Sequence, residues 1–291
     1  MSLYCIESLF PYMKELAPFI FEITIECMKF FEKFFGVPFS FNKYDQVFAH
    51  EYKCGAMENA GIVTFNDLYI WKEKVSTERM LSFANTISHE LSHHWFGNLV
   101  TMKWWDDLWL NESFADFISH FCLEKIKGNL KTINYESSMA AFLARKAWGY
   151  HEDQLVTTHP IASDVPNTIV ADSIFDGITY SKGASTMKQL LYLMSEENFS
   201  AGLKEYFEKY AFKNASLTDF IAELQKHFKY EEFDLQQWRG FWLEKASLNQ
   251  LEPIWNHEAN SEKETLTIRQ IPVSEDYPTL RPHKIKIALF K

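Results

Sequence analysis

Residues 89–93 read His89-Glu90-Leu91-Ser92-His93, and Asn111-Glu112-Ser113-Phe114-Ala115-Asp116 follows after one short break. Apolar residues recur at helical spacing from Glu78 to Phe96, among them Leu81, Ile87, Leu91 and Trp95, and Gly97 is the expected stop. Side chains one turn apart share a helix face, so both imidazoles can reach a single ion while Glu90 is rotated aside and stays unligated. Leu99 to Trp104 reads as a strand-like interruption, and Asp106 and Asp107 stand where a second helix prefers negative charge at its start. That helix carries Glu112, which completes a set of two histidines and one carboxylate and leaves an open position for water. The predicted cofactor is therefore one Zn2+ held by His89, His93 and Glu112. Glu90 is the predicted general base on the metal-activated water. The competing reading is a pair of helix-surface histidines, and the second helix weighs against it.

Asp116, one turn after Glu112, either orients a ligand histidine or is a solvated helix charge. His94 points about 100° away from His93 around the helix and is not expected to share its ion. His50, His120, His151 and His159 have no ligand-like spacing, so structural roles are expected.

The chain of 291 residues is long enough for a large core, with 47% hydrophobic and 23% charged residues as in soluble globular domains. Its 26 Phe, 13 Tyr and 9 Trp predict heavy aromatic packing. A net charge of −10 argues against nucleic acid as a partner, because counterion release needs clustered Lys and Arg. The acidity either favours cationic substrates or serves solubility alone. Cys5, Cys27, Cys54 and Cys122 lack metal-binding or framework spacing, and no secretory segment or membrane span is read, so a cytoplasmic location is expected.

Helices are expected over 22–35, 78–96, from about 106 to 127, and at 181–195, 199–210 and 217–228. Strands are expected around Val47-Phe48, Gly61 to Phe65 and Leu68 to Ile70, flanking the small-residue loop Gly55-Ala56-Met57-Glu58-Asn59. Glu264 to Gln270 and Lys284 to Phe290 alternate like strands, and two strands make a poor independent sheet. Residues 1–250 are read as one domain and 251–291 as a partial β-sandwich-like segment.

Three stretches in order, Gly55 to Asn59, His89 to Asn98 and Trp104 to Glu112, closely resemble the aminopeptidase N and puromycin-sensitive aminopeptidase family, with agreement continuing at Tyr180-Ser181-Lys182-Gly183-Ala184. The resemblance implies an α+β, thermolysin-like catalytic domain, mostly helical with a small mixed sheet and a short β tail. It also implies that Gly55, Ala56, Met57, Glu58 and Asn59 bind substrate. Glu58 would pair with the protonated α-amine, which restricts cleavage to the first residue of a peptide with a free amino terminus. Tyr180 would stabilise the oxyanion of the tetrahedral intermediate.

This sequence departs from the family pattern at Ser113, usually Gly, and at His94. No counterpart of the family's amino-terminal β-domain or large carboxy-terminal helical domain is read, so a second protein chain could complete the missing parts. The alternative function is a reduced homologue serving as a structural or assembly subunit.

Overall fold

The computed structural model describes residues 1–256 and 264–290. The first helix, α1 (Phe10–Phe35), begins a full three turns before the expected start and ends at Gly36, whose φ of 66° is the left-handed stop that glycine adopts without strain. Pro11 lies in the first turn, where a missing N–H costs nothing, and Pro18 is on an exposed position. Neither proline therefore breaks the apolar face of Phe19, Ile23, Cys27, Phe31 and Phe35.

Four short strands, β1 (Leu3–Tyr4), β2 (Asp45–Ala49), β3 (Ala56–Met57) and β4 (Ile62–Asn66), form a mixed sheet in the order β1-β2-β4-β3. β2 is parallel to β1 and β4, and β3 is antiparallel to β4 with Ala56 opposite Phe65. The strand expected over Leu68 to Ile70 is instead a tight turn over Asp67–Tyr69, because the Asn66 side chain accepts from Leu68 N and closes the chain on itself. Phe48 and Phe65 pack edge-on against Phe83, which seats the sheet on the next helix.

That helix, α2 (Thr77–Ser92), starts where Ser76 Oγ accepts from Arg79 N, and it ends four residues short of expectation. From His93 onwards the chain turns: Asn98, Leu99 and Val100 donate to the carbonyls of His93, His94 and Trp95. Trp95 and Phe96 look helical in the sequence only because both are buried. Gly97 has a φ of 122°, and a Cβ there would sit 2.7 Å from Asn111 Oδ1. Next come β5 (Val100–Met102) and α3 (Leu108–Ile126). Asp106 and Asp107 bond Val165 N and Leu217 N, so these carboxylates tie distant segments to the start of α3.

The remaining helices are α4 (Ser138–Glu152), α5 (Thr168–Ser173), α6 (Gly183–Met194), α7 (Glu196–Tyr210), α8 (Leu217–Gln225) and α9 (Leu235–Trp242), with a π-helical turn over Ile178–Lys182. A strand missed in the sequence, β6 (Lys213–Ala215), pairs in parallel with β5. Phe35, Trp95, Phe96, Phe114 and Phe207 interlock where α1, α2, α3 and α7 meet, Phe96 stacking on Phe114 with centroids 3.7 Å apart. The chain is thus α+β, about half helical with small sheets.

β7 (Asn249–Asn256) pairs antiparallel with β8 (Thr265–Pro272), which recovers the strand expected at 264–270. Residues 257–263 and 291 of the expected 251–291 segment lie outside the described residues. The strand expected over Lys284 to Phe290 does not form: no described residue pairs with its backbone, and Ile285, Ile287, Leu289 and Phe290 are exposed. Arg281 anchors this region, donating to the carbonyls of Phe241, Lys245 and Ala246. Among the described residues no helix is long and apolar enough to cross a membrane.

Candidate metal and catalytic centre

His89 lies in the last turn of α2 and His93 caps it, still with helical dihedrals (φ −59°, ψ −21°), so the imidazoles keep one face. Their Nε2 atoms are 3.0 Å apart, and Glu112 Oε2, from α3, is 3.4 Å from His89 Nε2 and 3.6 Å from His93 Nε2. Ligand atoms about 2.0–2.1 Å from a tetrahedral ion are separated from one another by roughly 3.3 Å. The three separations therefore suit one shared cation. His93 Nδ1 donates to the Phe96 carbonyl (3.1 Å) and to Asn111 Oδ1 (3.3 Å), which turns Nε2 towards the gap, where its lone pair is available to a cation once the ring is neutral.

The electrostatics agree with that geometry. Burial favours a neutral Glu112, but the charge of His93 and hydrogen bonds from both histidines hold its carboxyl well below the usual range. Burial likewise opposes a charge on His93, yet Glu58 and Glu112 keep its imidazolium far above the ordinary value. These groups together stabilise a positive charge among them. Burial lifts Glu90 to about 7, opposed by the charges of His89 and His93.

Glu58 follows β3, and its carboxylate, that of Glu90 and the His93 imidazole place ligand atoms within 4.8 Å of one another. Asn98 Nδ2 donates to the Glu58 carbonyl at 2.7 Å and holds this loop to the end of α2. Gly55 has its carbonyl taken by Asn66 N, and a Cβ there would press on Tyr69 Oη at 3.3 Å. Ala56 and Met57 form β3, the edge of the sheet. Asn59 is exposed on the loop and donates to Thr64 Oγ1 at 3.1 Å. Tyr180 stands in the π-helical turn, its ring 6.4 Å from that of His89. Burial and then Glu112 raise its phenol well above the usual value, so it is a protonated donor at neutral pH.

Asp116 takes neither expected role. It is buried, and both of its oxygens accept from Arg145 Nε, at 3.2 and 3.3 Å. His94 is walled in by Phe39, Phe41 and Tyr44, and burial pulls it down to about 4. His120 bonds Ser138, His50 bonds Asp67, and His159 bonds Asp176, so none of these three joins the His89, His93 and Glu112 group.

Three neighbours of the site were missed in the sequence. Ser113 Oγ donates to the Thr179 carbonyl and so joins α3 to the turn that bears Tyr180. Asp176 caps that turn by accepting from Ile178 N and Thr179 N, while His159 Nε2 bonds its other oxygen at 2.9 Å. Arg145 lies over Tyr180, with Cζ 5.7 Å from the ring centroid. Only Ser113 gave a signal, as a departure beside a ligand; the others come from segments remote in sequence.

Aminopeptidase N of Streptomyces lividans is 40% identical to this chain over 100% of its length, which covers 34% of that protein. Human glutamyl aminopeptidase is 37% identical over 74% of the chain and 22% of its own length, and leucyl aminopeptidase of Saccharolobus solfataricus 36% identical over 69% and 25%. The chain thus spans about a third or less of the relatives it matches. Residues 19–242 match the domain of peptidase family M1, a span that holds every residue of the cluster, and the chain belongs to that family.

Proposed function

We propose that this chain is the catalytic unit of a zinc aminopeptidase with a thermolysin-like fold, releasing the first residue from peptides that have a free amino end. Family membership implies a metal cofactor, and His89, His93 and Glu112 are the residues that would hold it. The observation that carries the reading is the carboxylate of Glu58 beside that triad. A fixed anion there binds an ammonium group and has no partner in an internal peptide bond.

When bound, the metal supplies Lewis acidity and a water of lowered pKa. Glu90, unligated and lifted to about 7, is the group that would accept a proton from the attacking water and return it to the leaving amine near neutral pH. Tyr180 donates its phenol proton as a hydrogen bond to the negative charge that develops on the carbonyl oxygen. The free edge of β3 lets the backbone of Ala56 and Met57 align an extended peptide. The test is hydrolysis of aminoacyl-arylamides by metal-loaded protein. Activity is expected with a free amine and absent with an acetylated one; cleavage confined to blocked or internal bonds would overturn the proposal.

A further inference from the structure

We infer that Arg145 is a positioning residue for the reaction: its guanidinium, locked by Asp116, holds the Tyr180 ring and places a fixed positive charge beside the phenol. The inference rests on the reading of Tyr180 as the oxyanion donor. Arg145 Nε reaches both oxygens of Asp116, at 3.2 and 3.3 Å, and Asp116 is buried on α3 one turn after Glu112. The arginine is thus referenced to the helix that carries a metal ligand.

From that anchor the guanidinium carbon lies 4.7 Å from the Trp148 ring centroid and 5.7 Å from that of Tyr180. The Trp148 and Tyr180 rings are 6.1 Å apart and inclined by 26°. Two glycines make this arrangement possible. A Cβ at Gly149 would come within 2.8 Å of Lys182 N, and one at Gly177 within 3.0 Å of the Trp148 carbonyl. Their absence lets α4 lie directly on the π-helical turn, so that Arg145 and Trp148 meet Tyr180.

The phenol works among carboxylates, with Glu112, Glu90 and Glu58 all near it. Negative charge on the reaction's oxyanion adds to that field. A cation over the aromatic face offsets it, and a planar guanidinium does so with the stacking that an ammonium cannot match. Arg145 touches no reacting atom, so its effect must pass through Tyr180.

A double-mutant cycle on the metal-loaded chain tests this. Arg145→Met is expected to lower kcat roughly ten-fold with KM unchanged, and Arg145→Lys to lose less. In a Tyr180→Phe background the same Arg145→Met change is expected to alter kcat less than about two-fold, because its route of action is gone. Equal loss in both backgrounds, or a change confined to KM, overturns the inference and leaves the Tyr180 reading intact. If Tyr180→Phe alone leaves kcat unchanged, the reading of Tyr180 fails and the inference falls with it. Should Arg145→Met fail to fold, Arg145→Lys, which keeps Asp116 paired, carries the same comparison.

Discussion

The Ser113 hydroxyl donates to the Thr179 carbonyl across 2.5 Å, which joins the residue after Glu112 to the residue before Tyr180. The contact depends on Gly183, where an added Cβ would lie 2.8 Å from Ser113 Cβ. Gly183→Ala is expected to cost about 1–3 kcal/mol through overpacking. Ser113→Gly in the same chain should restore most of it. Urea midpoints of the two variants and of wild type decide the matter, and a Gly183→Ala midpoint equal to wild type refutes the close packing.

Elemental analysis of purified protein should find one divalent metal ion per chain, with zinc the expected element. Glu112→Gln and His93→Phe should each lose it. A strong chelator should abolish peptide hydrolysis and lower the melting temperature, because an ion that binds only the folded state stabilises it by mass action. Full metal content in Glu112→Gln would remove that carboxylate from the ligand set.

Replacing Glu58 tests recognition rather than chemistry. Losing a hydrogen bond to a charged group costs about 1.5–3 kcal/mol. Glu58→Gln should therefore raise KM for free-amine substrates by roughly ten- to a hundred-fold. Metal content should not change. An unaltered KM for aminoacyl-arylamides would show that the amine is held elsewhere.

His120 gives the acid limit of the fold. Burial pulls it down to about 4 despite the nearby Asp116 and the bond to Ser138, and it is neutral in the native chain. The unfolded imidazole titrates near its ordinary value of about 6.5, so its contribution to stability is complete above that pH and is lost as pH falls towards 4. The loss amounts to about 3 kcal/mol. Thermal scans between these limits should show the decline, with a shallower slope in His120→Asn. Identical slopes would assign the acid sensitivity to other groups.

His89, Glu90, His93 and Glu112 were legible in the sequence because their spacing is local, whereas Glu58 and Tyr180 were reached only through the family resemblance. One helical turn places His89 and His93 together, and the following helix repeats the logic for Glu112. Boundaries were less legible. Trp95 and Phe96 extend the apolar pattern past the real end of α2, since burial in the aromatic core and burial on a helix face read alike. β6 was hidden for a different reason: Lys213-Asn214-Ala215 is short and mostly exposed and polar, and among the described residues it pairs with β5, a strand far away in the chain.

The amino-acid sequence by itself determined the helical pair, the spacing of His89, His93 and Glu112, and the strand-like runs at Val47-Phe48 and Gly61 to Phe65, all of which follow from short-range pattern. Only the tertiary structure decided what surrounds them. Asp116 met Arg145, Ser113 met Thr179, and α4 closed on the Tyr180 turn through Gly149 and Gly177. Those contacts join segments tens of residues apart, and no local spacing encodes them. Packing of the whole core sets which distant side chains share a space, and a buried charge then takes whichever partner stands within reach.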